Sequence, residues 1–324
     1  MLTSRHTASR FLLGLCLAGL IVVPAMATEK EGMPDLAQEE QTCLPTSTAN
    51  LIVWFGTHGY PKLIAPGDSK DNGYIHTVHA LMTATNAIYA LGTRPDAITY
   101  GVEKYIRDAG YSCDVEYRGL DWSQAKYPQI VEDKDGEKYK KDFKTPSAFT
   151  RDWLQENNDR NKGFILLLAY IKFDRGSNTF SDAVHAGHAV TLVNAEPDMI
   201  LVHDPAHYDD APGRKILTPE LLTGGSFQMP GYTAPVSGLL LLTGSLLQTP
   251  HHAGVMLTGA VCVTMHPASE GTKILGSDAG TPNATVAGSG GGATPSKVPS
   301  APDAPASSPT TSWAMWLFDL LFKK

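Results

Sequence analysis

The hydrophobic pattern of this chain changes character near Gly163, from mostly helical spacing to β-rich runs, and that change limits the folds open to it. Upstream, apolar residues recur at helical spacing. Pro45 to Phe55 carries Ala49, Leu51, Ile52, Val53, Trp54 and Phe55, too apolar for a surface helix, and predicts a buried central helix ending near Gly56 or Gly59. Residues 74–91 predict a second helix through Leu81, Ala84, Ile88 and Leu91, and Pro95 to Ala109 a third, stopped by Gly110. Tyr111 to Tyr117 alternates like a short strand, and Pro146 to Asn157 reads as one more short helix. Downstream come apolar, β-rich runs broken by turn residues: Gly163 to Phe173, His188 to Asn194, Met199 to His203, Gly238 to Leu242, and one or two strands within 252–265. Helices first and strands afterwards predict an α+β domain with an antiparallel sheet, ending near Met265.

The ends have a different character. Arg5 and Arg10 precede an apolar run from Phe11 to Val23, and Ala25-Met26-Ala27 has the small-x-small form of a cleavage site. The run is shorter than a bilayer-spanning helix needs. Residues 1–27 therefore read as an export signal, and the mature chain as periplasmic, secreted or attached to the cell surface. Losing Arg5 and Arg10 takes the formal charge from −7 to −9. That acidic balance argues against a nucleic-acid partner, which requires a basic surface. The lysine-rich stretch Lys134 to Lys144 reads as a solvated excursion. The domain covers 28–266. Residues 267–311, largely Gly, Pro, Ser, Ala and Thr from 277 on, form a flexible linker. Residues 312–324 close the chain with an apolar tail too short to span a bilayer, either an interfacial contact with a membrane or envelope or a segment that folds back onto the domain.

Three cysteines remain after the leader: Cys43, Cys113 and Cys262. An exported chain is permitted disulfides, and an odd number leaves one thiol over. Pairing Cys113 with Cys262 leaves Cys43 free, although the sequence does not fix the connectivity. Cys43 stands at the head of the buried helix, with Pro45 well placed in its first turn. A thiol there has its pKa lowered by the helix terminus, and further by a neighbouring imidazole. His188 begins an apolar strand. A turn at Glu196-Pro197-Asp198 sends the next strand back, and Asp204 lies at its end, within reach of His188. The order Cys43, His188, Asp204 is that of a nucleophile, a base that then acts as acid, and an orienting carboxylate.

Three short segments carry a family resemblance. Thr42-Cys43-Leu44-Pro45-Thr46-Ser47-Thr48-Ala49-Asn50 resembles the nucleophile motif of the C39-like branch of the papain-like cysteine peptidases. Gly187-His188-Ala189-Val190 and His203-Asp204-Pro205 resemble that family's histidine and aspartate motifs, and Val102 to Tyr111 its helix followed by Gly-Tyr. The likeness spans roughly residues 38–205. It implies a papain-like fold, with N-terminal helices around a central nucleophile helix packed on an antiparallel sheet. It also implies hydrolysis of a peptide or protein substrate through a thioester, with no cofactor. The oxyanion hole would come from the Cys43 backbone N–H and an upstream glutamine, for which Gln38 is the candidate. The chain departs from the family in placing Leu44 where glycine usually follows the cysteine, and in placing Gln38 one position late. Two other readings stay open. One is a catalytically degenerate module that binds a peptide or protein at the cell surface. The other is a metal site built from His185, His188, His203 and His207 with Asp204.

Overall fold

A computed structural model describes residues 29–267 except 40, 86, 88–92, 94, 121–149, 175, 208–212, 230, 245 and 247–253. The predicted export signal, the lysine-rich stretch, the linker and the apolar tail lie outside the described residues. So do residues 88–91 of the second predicted helix.

Four α-helices are described: α1 (Cys43–Thr57), α2 (Ile75–Ala84), α3 (Pro95–Asp108) and the short α4 (Arg151–Gln155). Among the described residues, nine strands carry most of the regular structure. They are β1 (Cys113–Gly119), β2 (Lys162–Asp174), β3 (Thr179–Ala195), β4 (Ile200–His203), β5 (Arg214–Leu221), β6 (Ser226–Met229), β7 (Tyr232–Pro235), β8 (Leu240–Gly244) and β9 (Gly254–Met265).

The sheet closes on itself. β2 pairs with β3, β3 with β4, β4 with β5, β5 with β8, β8 with β9, and β9 returns to β2, every neighbour antiparallel. The result is a six-stranded antiparallel barrel. β1 continues along the same edge of β9 beyond β8, and the β6–β7 hairpin attaches in parallel to the start of β3. Register breaks in β2 and β3 bend the long strands and permit closure.

This corrects the expected fold class. The described chain is a mostly β protein built on a closed barrel with few helices, not a papain-like α+β fold with helices on an antiparallel sheet. Two features of the sequence hid the closure. β5 completes the ring, yet it is largely exposed and contains Pro219, so it lacks a strand's alternating signal. β2 and β9, in contrast, are buried on both faces over most of their length. Alternate residues serve two cores. Phe164, Leu166, Leu168, Val190, Leu192 and Leu257 join one cluster, formed mainly by barrel strands. Ile165, Leu167, Ala189, Val193, Val261 and Val263 point the other way, into a cluster with Leu51, Ile52, Phe55, Leu81, Ile98 and Ile106 of α1–α3.

All three described cysteines are free, which also corrects the suggested Cys113–Cys262 pairing. Their strands are neighbours, but Cys113 pairs with Met265 and Cys262 with Glu116. Cys113 belongs to the helix-side cluster and Cys262 to the other, so their side chains serve opposite faces. Among the described residues no helix is long and apolar enough to cross a membrane.

Candidate active site

Cys43 is the first residue of α1. Gln41 takes a left-handed conformation, φ 57°, turning the lead-in segment into the helix. Thr42 then fixes the start: its hydroxyl donates to Glu39 O at 3.0 Å, and its own carbonyl accepts from Thr46 N–H at 3.0 Å. No acidic side chain occupies the first turn, so nothing there opposes a negative sulfur.

Behind the cysteine, Leu44 to Gly56 are all buried. The polar residues in that stretch are matched to β3. Ser47 Oγ donates to Ala189 O at 2.8 Å, Thr191 Oγ1 donates to Ser47 O at 2.7 Å, and Asn50 Nδ2 donates to Thr191 Oγ1 at 3.2 Å. Asn50 Oδ1 also accepts from Leu36 N–H at 3.0 Å, tying in the lead-in segment. This clamp fixes α1 against the very strand that carries His188.

His188 and Asp204 are both buried, at 6% and 0% exposure, and they are joined by a 2.7 Å hydrogen bond from Nε2 to Oδ1. Asp204 Oδ1 also accepts from Ala206 N–H at 2.9 Å, and Asp204 N–H donates to Gly213 O at 2.8 Å. A buried carboxylate needs such partners, because an uncompensated one costs several kcal/mol or so. With Nε2 committed to Asp204, Nδ1 is the ring nitrogen left for Cys43, whose thiolate the imidazole favours. The three expected triad residues are thus brought together, His188 hydrogen-bonded to Asp204 and electrostatically coupled to Cys43, and Cys43 keeps partial contact with solvent.

The electrostatics favour an ion pair. Burial acts to raise the Cys43 pKa, but the hydrogen bond and charge of His188, with the backbone N–H groups of Ala189 and Leu44, outweigh it and hold the thiol below its ordinary 9.0. Burial acts to lower His188. The hydrogen bonds to Asp204 and Cys43, with their charges, reverse that and raise it from 6.5 to about 10. The other two thiols go the opposite way. Burial leads in pushing Cys113 and Cys262 up to about 11.

Gln38 lies beside the carboxylate turn, its backbone N–H donating to Pro205 O at 2.8 Å. Its side-chain Oε1 is buried without a partner. Leu44 occupies the position where a glycine was expected because its side chain is core, 4% exposed, while its N–H is turned to the sulfur. The histidines of the rival metal reading are otherwise engaged: His203 Nδ1 donates to Pro34 O at 2.9 Å, and His207 faces Asp35 at 3.5 Å. Among the described residues no group of three or more His, Cys, Asp or Glu is placed to hold a metal, and the His185 side chain lies outside them. A cavity of about 570 Å³ lies elsewhere, between α2, α3 and residues 62–66, and no triad residue lines it.

Sequence reasoning missed Ser47, Asn50 and Thr191. Their signal was legible, since polar residues inside an otherwise apolar helix and strand must find partners there. It also missed Tyr170, which sits within an unbroken apolar run and offers no such signal. Neither protein-family models nor curated proteins match this chain.

Proposed function

We propose that the protein is an exported thiol hydrolase, a cysteine peptidase that cleaves peptide or amide bonds through a thioester on Cys43. The observation that carries this reading is the row Cys43–His188–Asp204, with the thiol pKa lowered and the imidazole pKa raised. The likeness of the three motifs to those of C39-like cysteine peptidases favours a peptide substrate, and the leader-like residues 1–27 favour export.

In this mechanism the Cys43 thiolate attacks the scissile carbonyl carbon, and the carbonyl electron pair moves onto oxygen. The Cys43 backbone N–H and the Gln38 carboxamide are the proposed donors to that oxyanion. His188 gives its Nδ1 proton to the departing amine as the thioester forms. It then takes a proton from the water that hydrolyses the thioester, and Asp204 holds the ring throughout.

The test is residue-resolved labelling of the folded protein with iodoacetamide or an epoxide probe at neutral pH. Cys43 is expected to react while Cys113 and Cys262 stay unmodified, and Cys43→Ala is expected to abolish the labelling. Equal labelling in Cys43→Ala, or a folded wild type whose Cys43 does not react, would refute the reading.

A further inference from the structure

Tyr170 lies beside the triad, and the mechanism above gives it no task. It is 5% exposed, and its hydroxyl oxygen is buried with no hydrogen-bond partner among the described residues. Leaving a buried hydroxyl unpaired costs about 1–3 kcal/mol, so the orphan calls for an explanation. Its position supplies one. The Tyr170 ring lies nearly parallel to the His188 imidazole, 19° between planes and 6.2 Å between centroids.

The backbone around it is irregular in a way that serves the site. β2 pairs Ala169 with Gly187 and then Ile171 with Asp182, so the ladder skips Tyr170 and residues 183–186 of β3 lie opposite it. The β2–β3 wall is interrupted right beside His188. Such breaks re-aim side chains and make room next to active sites.

We infer that Tyr170 presents its hydroxyl as a hydrogen-bond donor to the carbonyl oxygen of the substrate bound at Cys43. The inference rests on the thiol-hydrolase reading and extends it to a substrate-binding residue contributed by the barrel. The direction of the bond follows from the surroundings. Burial first, then the negative charges of Asp204 and Cys43, disfavour a phenolate, so the group remains a neutral donor. His188, the cation beside it, has Nε2 bound to Asp204 and makes no hydrogen bond to the Tyr170 hydroxyl. As sulfur bonds to the carbonyl carbon, negative charge grows on the carbonyl oxygen. The hydroxyl hydrogen bond strengthens with it, and no proton is transferred from Tyr170. When the tetrahedral species collapses, the carbonyl re-forms and the leaving group departs.

Two reactions of the full chain separate this role from a structural one. Hydrolysis of p-nitrophenyl acetate passes through an oxyanion, whereas alkylation of Cys43 by iodoacetamide displaces iodide and forms none. Tyr170→Phe keeps the ring against His188 and removes only the hydroxyl. It is expected to lower kcat for the ester about a hundredfold while leaving the alkylation rate at Cys43 unchanged. Unchanged ester hydrolysis in Tyr170→Phe overturns the inference. So does an equal fall in both reactions, which would make the hydroxyl a support for the thiolate instead. A wild type that alkylates at Cys43 but shows no Cys43-dependent ester turnover overturns the donor role and leaves the ion pair standing. A wild type inert in both reactions overturns the thiol-hydrolase reading itself.

Discussion

The Cys43–His188 pair holds one proton between two groups, and its linkage to folding follows from where that proton sits. His188 is raised from 6.5 to about 10, so its contribution to stability is complete below about 6.5 and is lost as pH rises through about 10. Cys43 is lowered from 9.0, so its contribution is present above 9.0 and is lost as pH falls through the folded value. From 9.0 down to the higher of 6.5 and the folded Cys43 value, the folded pair binds one proton, as thiolate and imidazolium, and the unfolded pair also binds one, as thiol and neutral imidazole. The pair's contribution is therefore expected to be flat across that window. It falls above 9.0, where the unfolded thiol releases its proton first while the folded His188 keeps its own up to about 10. Urea unfolding of the wild type, compared with a Cys43→Ala/His188→Gln double variant at several pH values, measures this contribution. A steady slope in the difference across the window would contradict it. These three residues were legible because each role is set by side-chain type and by a position next to a helix start or a turn. Gln38 was less so, because the nearness of its backbone to Pro205 comes from a fold across more than 160 positions of sequence.

At the scale of elements, the site depends on how α1 meets β3. Thr191 is the hinge of that contact, donating to Ser47 O and accepting from Asn50. Thr191→Val keeps the shape and removes both bonds, leaving the buried Asn50 side-chain amide without its acceptor. The expected cost is about 1–3 kcal/mol of unfolding free energy, seen as a lower urea midpoint at constant slope. Because Cys43 and His188 sit at the ends of the clamped elements, the same variant is expected to slow iodoacetamide labelling of Cys43. Loss of stability with an unchanged labelling rate would confine the clamp to a structural role. The helices could be read from apolar spacing, and α1, α2 and α3 lie where it put them, with α2 ending earlier, at Ala84. β5, β6 and β7 went unread. They are short or largely exposed, and their partners are set by distant strands rather than by local pattern.

For the whole molecule, the sequence carried the right inventory of apolar runs and the wrong closure. Runs such as β2 fit a strand covered on both faces equally well in an open sheet or in a barrel, because pairing order has no local signature. What decided it was β5, which bridges β4 to β8. Closure leaves few free edges on the ring and makes α1 an outer element pressed against the barrel wall. The candidate site therefore forms where the start of one helix meets β3 of the barrel.

The pH dependence of Cys43 alkylation tests that meeting most directly. In the folded wild type, iodoacetamide is expected to modify Cys43 at pH values well below 9.0, because His188 stabilises the thiolate. In His188→Gln, which retains a side chain able to bond Asp204, the burial of the sulfur remains and the imidazole is gone. The reactive limb is then expected to move up to or beyond 9.0. Superimposable profiles in the two proteins, both rising near 9.0, would contradict a Cys43–His188 ion pair and the hydrolase built on it.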